Sequence, residues 1–317
     1  VSAPPATGLL VIGDVVTDVV ALHDGPPATG TDTPADITLR PGGSGANTAS
    51  WAARLGADTR LLARAGYDTG EWHAAELTKA GVRPHLRIDP GRPSAVVIAM
   101  VDASGERSML TNRGASGHIG VDDWAPDLLD GVGRLHLSAY TMFAGPGLEL
   151  ARLAMREAAG RGIPVSVDPA SCGPLREFGR ERFLRETAPA ATVIPNREEA
   201  LLLSGASDPD TAGRVLSTRY GTAVVKLGAD GALLAREGRI VARAPAPPAA
   251  VVDSTGAGDA FAAGFLAATL AGGTPEEALR TGCEAGAMAV AQVGGRPKSG
   301  NFTLLTPIAG LRRKLHH

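Results

Sequence analysis

The stretch Val252-Asp253-Ser254-Thr255-Gly256-Ala257-Gly258-Asp259-Ala260-Phe261-Ala262-Ala263-Gly264-Phe265-Leu266 decides how the rest of the chain is read. Glycines stand at 256 and 258, an acid follows at once, and an apolar, alanine-rich run comes after it. That order predicts a glycine turn opening a helix, with Asp259 in the first turn. The first amides of a helix lack internal partners and carry the positive end of its dipole. An anion above Gly256, Ala257 and Gly258 would meet several of them. A carboxylate beside such a nest suits a base working at a phosphoryl centre. A first-turn acid that only steadies the helix fits this stretch equally well.

Working outward, a second glycine cluster, Pro41-Gly42-Gly43-Ser44-Gly45-Ala46-Asn47, precedes a small-residue helix over 47–55 that Gly56 stops. Before it, a β-suited run over 9–13 closes on Asp14, and 19–39 reads as a hairpin-like excursion. Strand-like runs follow at 59–65, 95–101 and 108–111, with a turn over Asp102-Ala103-Ser104-Gly105. Asp68 and Glu71 predict a capping box for a helix ending near Gly81. Strands at 134–138, 164–168, 192–194 and 223–227 then alternate with helices at 147–160, 197–203 and 209–219. Antiparallel strands at 232–235 and 240–242 precede helices over 257–271, 275–292 and 307–315. Alternation of this kind predicts a doubly wound α/β fold, a mostly parallel sheet flanked by helices, with ligands at the strands' C-terminal ends. The remaining early strands predict a small β-sheet lid drawn from about 15–41 and 91–113 of a single domain over 1–317.

Composition narrows the function classes. A net charge of −2 suggests neither a nucleic-acid-binding nor an anionic-membrane role. No apolar run reaches the about 18 residues that span a bilayer. Val1 to Gly8 reads as a frayed leader without the regions of a signal peptide, so the expected compartment is the cytoplasm. The two cysteines, Cys172 and Cys283, are far apart and fit free thiols in a reducing compartment. The seven histidines do not cluster, and His316 and His317 end the chain as a possible tag remnant. The sequon Asn301-Phe302-Thr303 reads as chance.

Known nucleotide motifs fail. Gly-Lys is absent, which removes a Walker loop, and Phe261 stands where a dinucleotide fingerprint needs its third glycine. In combination, however, Gly42-Gly43-Ser44-Gly45-Ala46-Asn47, Gly66-Tyr67-Asp68-Thr69-Gly70, Pro195-Asn196-Arg197-Glu198-Glu199, Lys226-Leu227-Gly228-Ala229-Asp230-Gly231 and Asp253-Ser254-Thr255-Gly256-Ala257-Gly258-Asp259 resemble the ribokinase-like (phosphofructokinase-B) carbohydrate kinases. They come in that family's order, and the resemblance runs from about Gly13 to Pro297.

The resemblance implies an ATP-dependent kinase acting on a hydroxymethyl group of a sugar or sugar derivative. Asp259 would be the base, with Gly256, Ala257 and Gly258 as the anion hole. Asp14, Asp18, Gly42, Gly43, Asn47 and Arg113 would meet the substrate; Asn196, Lys226, Gly228 and Gly231 the nucleotide. Asn196 and Glu199 would place Mg²⁺, largely through water, although an Asn cap with Glu three residues on is also a plain helix start. Asp168 falls where it can face the phosphates. Asp253 and Gly294 would support the closing loop and a monovalent cation such as potassium. Val16 and Ser44 stand where ribose-specific members carry Asn and Lys, which points away from ribose. Members of the family often form homodimers through the lid, so a homodimer is expected. The alternatives are a nucleoside kinase, with Tyr67, Tyr140 and Phe143 as the few aromatic walls, and a non-catalytic sugar-binding regulator.

Overall fold

Residues 7–25, 28–101 and 107–298 are described by the structure, a computed structural model. The expected turn over 102–105, the sequon at Asn301, the helix over 307–315, His316 and His317 lie outside them, as does most of the leader. Among the described residues no helix is long and apolar enough to cross a membrane.

The sheet grows from β1 (Gly8–Ile12), whose five residues are all buried. Alternate side chains of a strand face opposite ways, so Leu9 and Val11 enter one apolar core while Leu10 and Ile12 enter another. A strand covered on both faces reads as one unbroken apolar run, which is why this one lacks alternation. The chain continues through β2 (Val16–Leu22), β3 (Asp36–Gly42), α1 (Ser44–Arg54), β4 (Asp58–Gly66), α2 (Gly70–Lys79), β5 (Arg83–Asp89), β6 (Ala95–Val101) and β7 (Arg107–Asn112). Short 3₁₀ turns between 114 and 129 lead to β8 (Val132–Ser138), α3 (Ala139–Met142), α4 (Gly145–Gly160) and β9 (Val165–Asp168). There follow α5 (Cys172–Phe178), α6 (Arg180–Glu186), β10 (Thr192–Val193), α7 (Arg197–Ser204), α8 (Pro209–Tyr220) and β11 (Thr222–Lys226). Strands β12 (Ala232–Arg236) and β13 (Arg239–Ala244) and helices α9 (Ala257–Leu270) and α10 (Pro275–Val290) complete the described chain.

Nine strands form the main sheet in the order β13-β12-β11-β10-β9-β8-β1-β4-β5. Pairing is parallel from β5 to β11 and antiparallel at β12 and β13. Helices α1, α2, α9 and α10 cover one face, and α4 to α8 the other. The fold is therefore the expected doubly wound α/β sheet. From β1 the chain builds first toward β4 and β5, then crosses to β8 on β1's other side. That reversal is where a crevice opens at the strands' C-terminal ends. A separate four-stranded sheet, β3-β2-β6-β7, comes from 16–42 and 95–112.

Three local features differ from the sequence expectation. Strand β5 was not anticipated, because Arg-Pro-His-Leu-Arg-Ile-Asp carries a proline and charges, as a sheet edge tolerates. Helices α5 and α6 were also unread; each is seven residues long, and Gly179, at φ 93°, divides them. Asp68 does not cap α2. Its Oδ1 accepts from the amides of Thr69 and Ser94, both at 2.8 Å, so it ties the loop to the start of β6 and leaves Thr69 as the N-cap.

Candidate active site

The C-terminal ends of β1, β8, β9 and β11 present Asp14, Ser138, Asp168 and Lys226 toward one crevice, and α9 points its N-terminus there. Helix α9 is apolar around most of its circumference, with every residue from Ala260 to Ala268 buried. A helix buried on all sides has no freedom to rock, and it holds its first turn where the core dictates. Gly256, its N-cap, adopts φ 74°, and a Cβ there would sit 2.5 Å from Gly295 Cα. Only glycine meets both demands.

Asp259 lies in that first turn, partly exposed to the crevice. Its Oδ1 accepts from Ser44 Oγ at 2.8 Å, and its Oδ2 from Asn47 Nδ2 at 2.9 Å. Ser138 Oγ donates in turn to Ser44 Oγ at 3.3 Å. Burial pushes the Asp259 pKa up to about 7, and the negative charge of Asp168 adds to the rise. The bonds from Asn47 and Ser44 and the charge of Lys226 act against it. A carboxyl group poised near neutrality and fixed by two donors is suited to taking up a proton. The buried Oδ1 of Asn47 has no hydrogen-bond partner. Of the three expected anion-hole residues, Ala257 turns its amide back to Ser254 O at 3.3 Å.

Around this pair the structure gathers most of the residues expected to meet substrate. Gly43, at φ 98°, caps α1, and a Cβ there would lie 2.5 Å from Asp14 O. A Cβ on Gly42 would meet Asp18 Oδ2 at 2.1 Å. Asp14 Oδ1 accepts from the Gly45 amide at 3.1 Å. Burial raises the Asp14 pKa against that bond and the charge of Arg113. Asp18 is pushed up to about 6 by burial and by Asp14. Arg113 donates to Tyr140 O at 3.4 Å and lies over the Phe143 ring, 5.9 Å from its centroid. Tyr140 and Phe143 meet edge to face, while Tyr67 is 62% exposed.

Lys226 Nζ pairs with Asp168 Oδ2 at 2.6 Å, and it lies 3.3 Å from where a Cβ of Gly258 would be. Burial opposes its charge, but Asp168, Glu199 and Asp259 outweigh it and raise the lysine pKa. The backbone is strained just beyond, where Ala170 adopts φ 72° and donates its amide to Asp168 Oδ1 at 2.9 Å. Asn196 and Glu199 form a reciprocal capping box for α7. Asn196 Oδ1 accepts from the Glu199 amide, and both Glu199 oxygens accept from Asn196 nitrogens at 2.8 Å. Burial raises the Glu199 pKa to about 7. Gly228 sits in an exposed turn, and Gly231, at φ 89°, packs against Ala244 O; neither joins the Asp259 group. Asp253 accepts from the Thr255 amide at 2.9 Å and the Gly294 amide at 3.0 Å, tying together the loops before α9 and after α10.

Sequence reasoning missed Ser138 and Arg296. Arg296 Nη2 donates to Gly42 O at 3.1 Å, and its charge faces Asp18 and Asp14. Ser138 had one legible signal, its place at the C-terminal end of a buried strand. Arg296 had none, because its partner is a backbone carbonyl distant in sequence. Among the described residues no group of three or more His, Cys, Asp or Glu side chains could hold a metal ion.

Comparison with known proteins agrees with this fold. The pfkB family carbohydrate kinase model matches residues 6–299. A fructokinase of Klebsiella pneumoniae is 29% identical over 276 residues, which is 84% of this chain and 85% of that protein. The solved structure of adenosine kinase from Sinorhizobium meliloti superposes with a TM-score of 0.83 at 28% identity, covering 92% of this chain and 95% of that one. Aminoimidazole riboside kinase from Salmonella enterica, solved with aminoimidazole riboside and an ATP analog, superposes at 0.74 with 27% identity, over 91% and 95% of the two chains. The chain belongs to the pfkB family of carbohydrate kinases and has the ribokinase-like fold.

Proposed function

We propose that this carbohydrate kinase transfers the γ-phosphate of ATP to a hydroxymethyl group of a sugar or sugar derivative, with Asp259 as the base. The observation that carries the reading is Asp259 itself: partly exposed in the crevice, held by Ser44 and Asn47, and poised near pH 7. In this reading Asp259 takes the hydroxyl proton as that oxygen attacks phosphorus. The Gly258 amide in the first turn of α9 and the Lys226 ammonium offset charge on the phosphoryl oxygens. Asn47 Oδ1, lacking any donor, offers an acceptor to a substrate hydroxyl. Asp14, Asp18 and the Gly42–Gly43 turn supply the remaining polar wall, and Arg113 borders it.

The residues fit Mg²⁺ as a hydrated ion carried by the nucleotide, because that ion keeps several waters and needs few carboxylates. Asp168 and Glu199 would receive it through water, since the Asp168 oxygens already accept from Ala170 and Lys226 and those of Glu199 from Asn196. When bound, the ion neutralises phosphate charge. Both Asp253 oxygens accept backbone N–H groups, the pattern of a loop staple, and we assign Asp253 and Gly294 that role.

The small sheet is offered as a lid that closes over the acceptor and excludes water. Ile37, Leu39, Met109 and Leu110 on it are 58–65% exposed, which supports a homodimer joined through that sheet. A nucleoside acceptor is the second reading, favoured by Tyr140 and Phe143 beside Arg113 and by the nucleoside-kinase names among the relatives. ADP release over a panel of hexoses, pentoses, keto-deoxy sugar acids and nucleosides tests both. Turnover of sugars or sugar acids is expected. Turnover of nucleosides alone replaces the first reading with the second, and no turnover of any acceptor refutes both.

A further inference from the structure

A cavity of about 480 Å³ lies between the C-terminal ends of α1 and α2, the end of β3 and the loop after α10. Its polar wall holds five cations, Arg40, Arg54, Lys79, Arg296 and Lys298, against one carboxylate, Glu76. That carboxylate is already shared with Lys79 at 3.8 Å. Arg40 reaches over Gly294, 3.5 Å from where a Cβ there would be, so it is laid along the loop that carries Arg296. The buried Nε of Arg40 and the buried Nε and Nη1 of Arg296 have no hydrogen-bond partner. Burying charged donors without acceptors is costly, yet a chain of net charge −2 concentrates cations here. Burial lowers the Arg296 pKa to about 10, which leaves its charge intact at neutrality.

We infer that this cavity is a second ligand site, one that binds a phosphate-bearing small molecule. The forked guanidinium groups of Arg40 and Arg296, which keep unused N–H donors, match the oxygens of a phosphate, and the lysines add point charge. The volume exceeds what a lone phosphate fills and falls in the range of small-ligand pockets. The site is distinct from the crevice. Helix α1 carries Ser44, bonded to Asp259, at one end and Arg54 at the other, and its eleven residues span about 16 Å. Arg296 belongs to both regions, since it donates to Gly42 O in the substrate turn and its side chain also lines the cavity. A ligand drawing on Arg296 therefore acts on the turn that holds Gly42 and Gly43.

The test is calorimetric titration of the full chain, at fixed ionic strength, with sodium phosphate, ribose 5-phosphate, AMP and citrate. It needs no turnover and so stands apart from the proposed reaction. Arg40→Gln/Lys298→Gln removes two cations, and Lys298→Glu alone reverses an exposed one whose change leaves the core untouched. Arg236→Gln, an exposed cation on β12, is the control. Saturable binding of at least one phosphate probe to wild type is expected, with affinity falling about tenfold or more in both pocket variants and unchanged in the control. Tightest binding of ribose 5-phosphate, AMP or free phosphate identifies a sugar phosphate, a nucleotide or phosphate itself as the ligand. Three results overturn the inference: no phosphate probe saturates, the pocket variants bind as wild type does, or citrate alone binds.

Discussion

Replacing Asp259 by asparagine tests the proposed chemistry at its centre. The side chain keeps its size and one oxygen, so one of the bonds from Ser44 and Asn47 survives, while the ability to accept a proton is lost. A positioned general base contributes roughly 10²–10⁴ in rate. At about 1.4 kcal/mol per decade, that is roughly 3–5 kcal/mol of barrier. Asp259→Asn should lower kcat by that factor, read by coupled ADP release with the best acceptor of the panel, and change KM by a few-fold at most. The wild-type pH profile carries an independent mark. Only the carboxylate form is a base, so kcat/KM should rise with pH and level off above about 7, the value to which burial lifts this group. Stability moves the opposite way. A carboxyl whose folded pKa lies above its ordinary 3.8 stabilises the fold below that value, and the contribution is lost as pH climbs through about 7. At pH 8 the asparagine variant should therefore unfold at a temperature equal to or above wild type. Retention of kcat within threefold of wild type, or an acid limb near pH 4, would refute the assignment.

Ser44→Ala deletes a donor that favours the ionised form of Asp259, so the acid limb of kcat/KM should shift above pH 7; an unmoved limb argues that the bond has no part in tuning the base. Gly256→Ala meets both a left-handed backbone and a contact 2.5 Å from Gly295 Cα, and should cost about 2 kcal/mol or more in urea unfolding. Lys226→Met leaves Asp168 buried without its cation, with an expected loss on the order of 3–5 kcal/mol, whereas Lys226→Met/Asp168→Leu should recover much of it. Leu39→Asp on the small sheet should convert a dimer to a monomer in light scattering, and an unchanged mass removes that surface as the interface.

What could be read from the sequence was what the backbone itself dictates. The run over 9–13 could only be a strand covered on both faces, and glycine at 43 and 256 announced backbone that other residues resist. Strand β5 hid because an edge strand needs no apolar alternation, and its arginines are the protection an edge requires. The capping expectation at Asp68 failed for a related reason. A short carboxylate takes whichever amides lie nearest, and the tertiary contact with Ser94 outcompeted the local one. The motif Asn196–Glu199 was left open between metal placement and helix start. The structure displays the helix start, with every acceptor of the pair engaged inside it, so any metal role has to pass through water.

The same contrast explains why the crevice was more legible than the cavity at the ends of α1 and α2. A site at strand ends inherits its location from topology, so the short motifs around Asn47, Lys226 and Asp259, far apart in sequence, were bound to converge once the sheet order was fixed. The basic cavity has no such rule. Arg40, Arg54, Lys79, Arg296 and Lys298 come from β3, α1, α2 and a loop, and in the sequence each alone reads as an ordinary surface cation. Their convergence is a property of packing, visible only as guanidinium nitrogens buried without acceptors. Arg296 joins the two regions. Removing its charge by Arg296→Met should perturb acceptor KM through Gly42 even in the absence of any phosphate ligand, because the carbonyl it holds belongs to the substrate turn. A variant with unaltered KM would mean that the turn keeps its shape without that bond, and that the cavity has no route to the crevice through it.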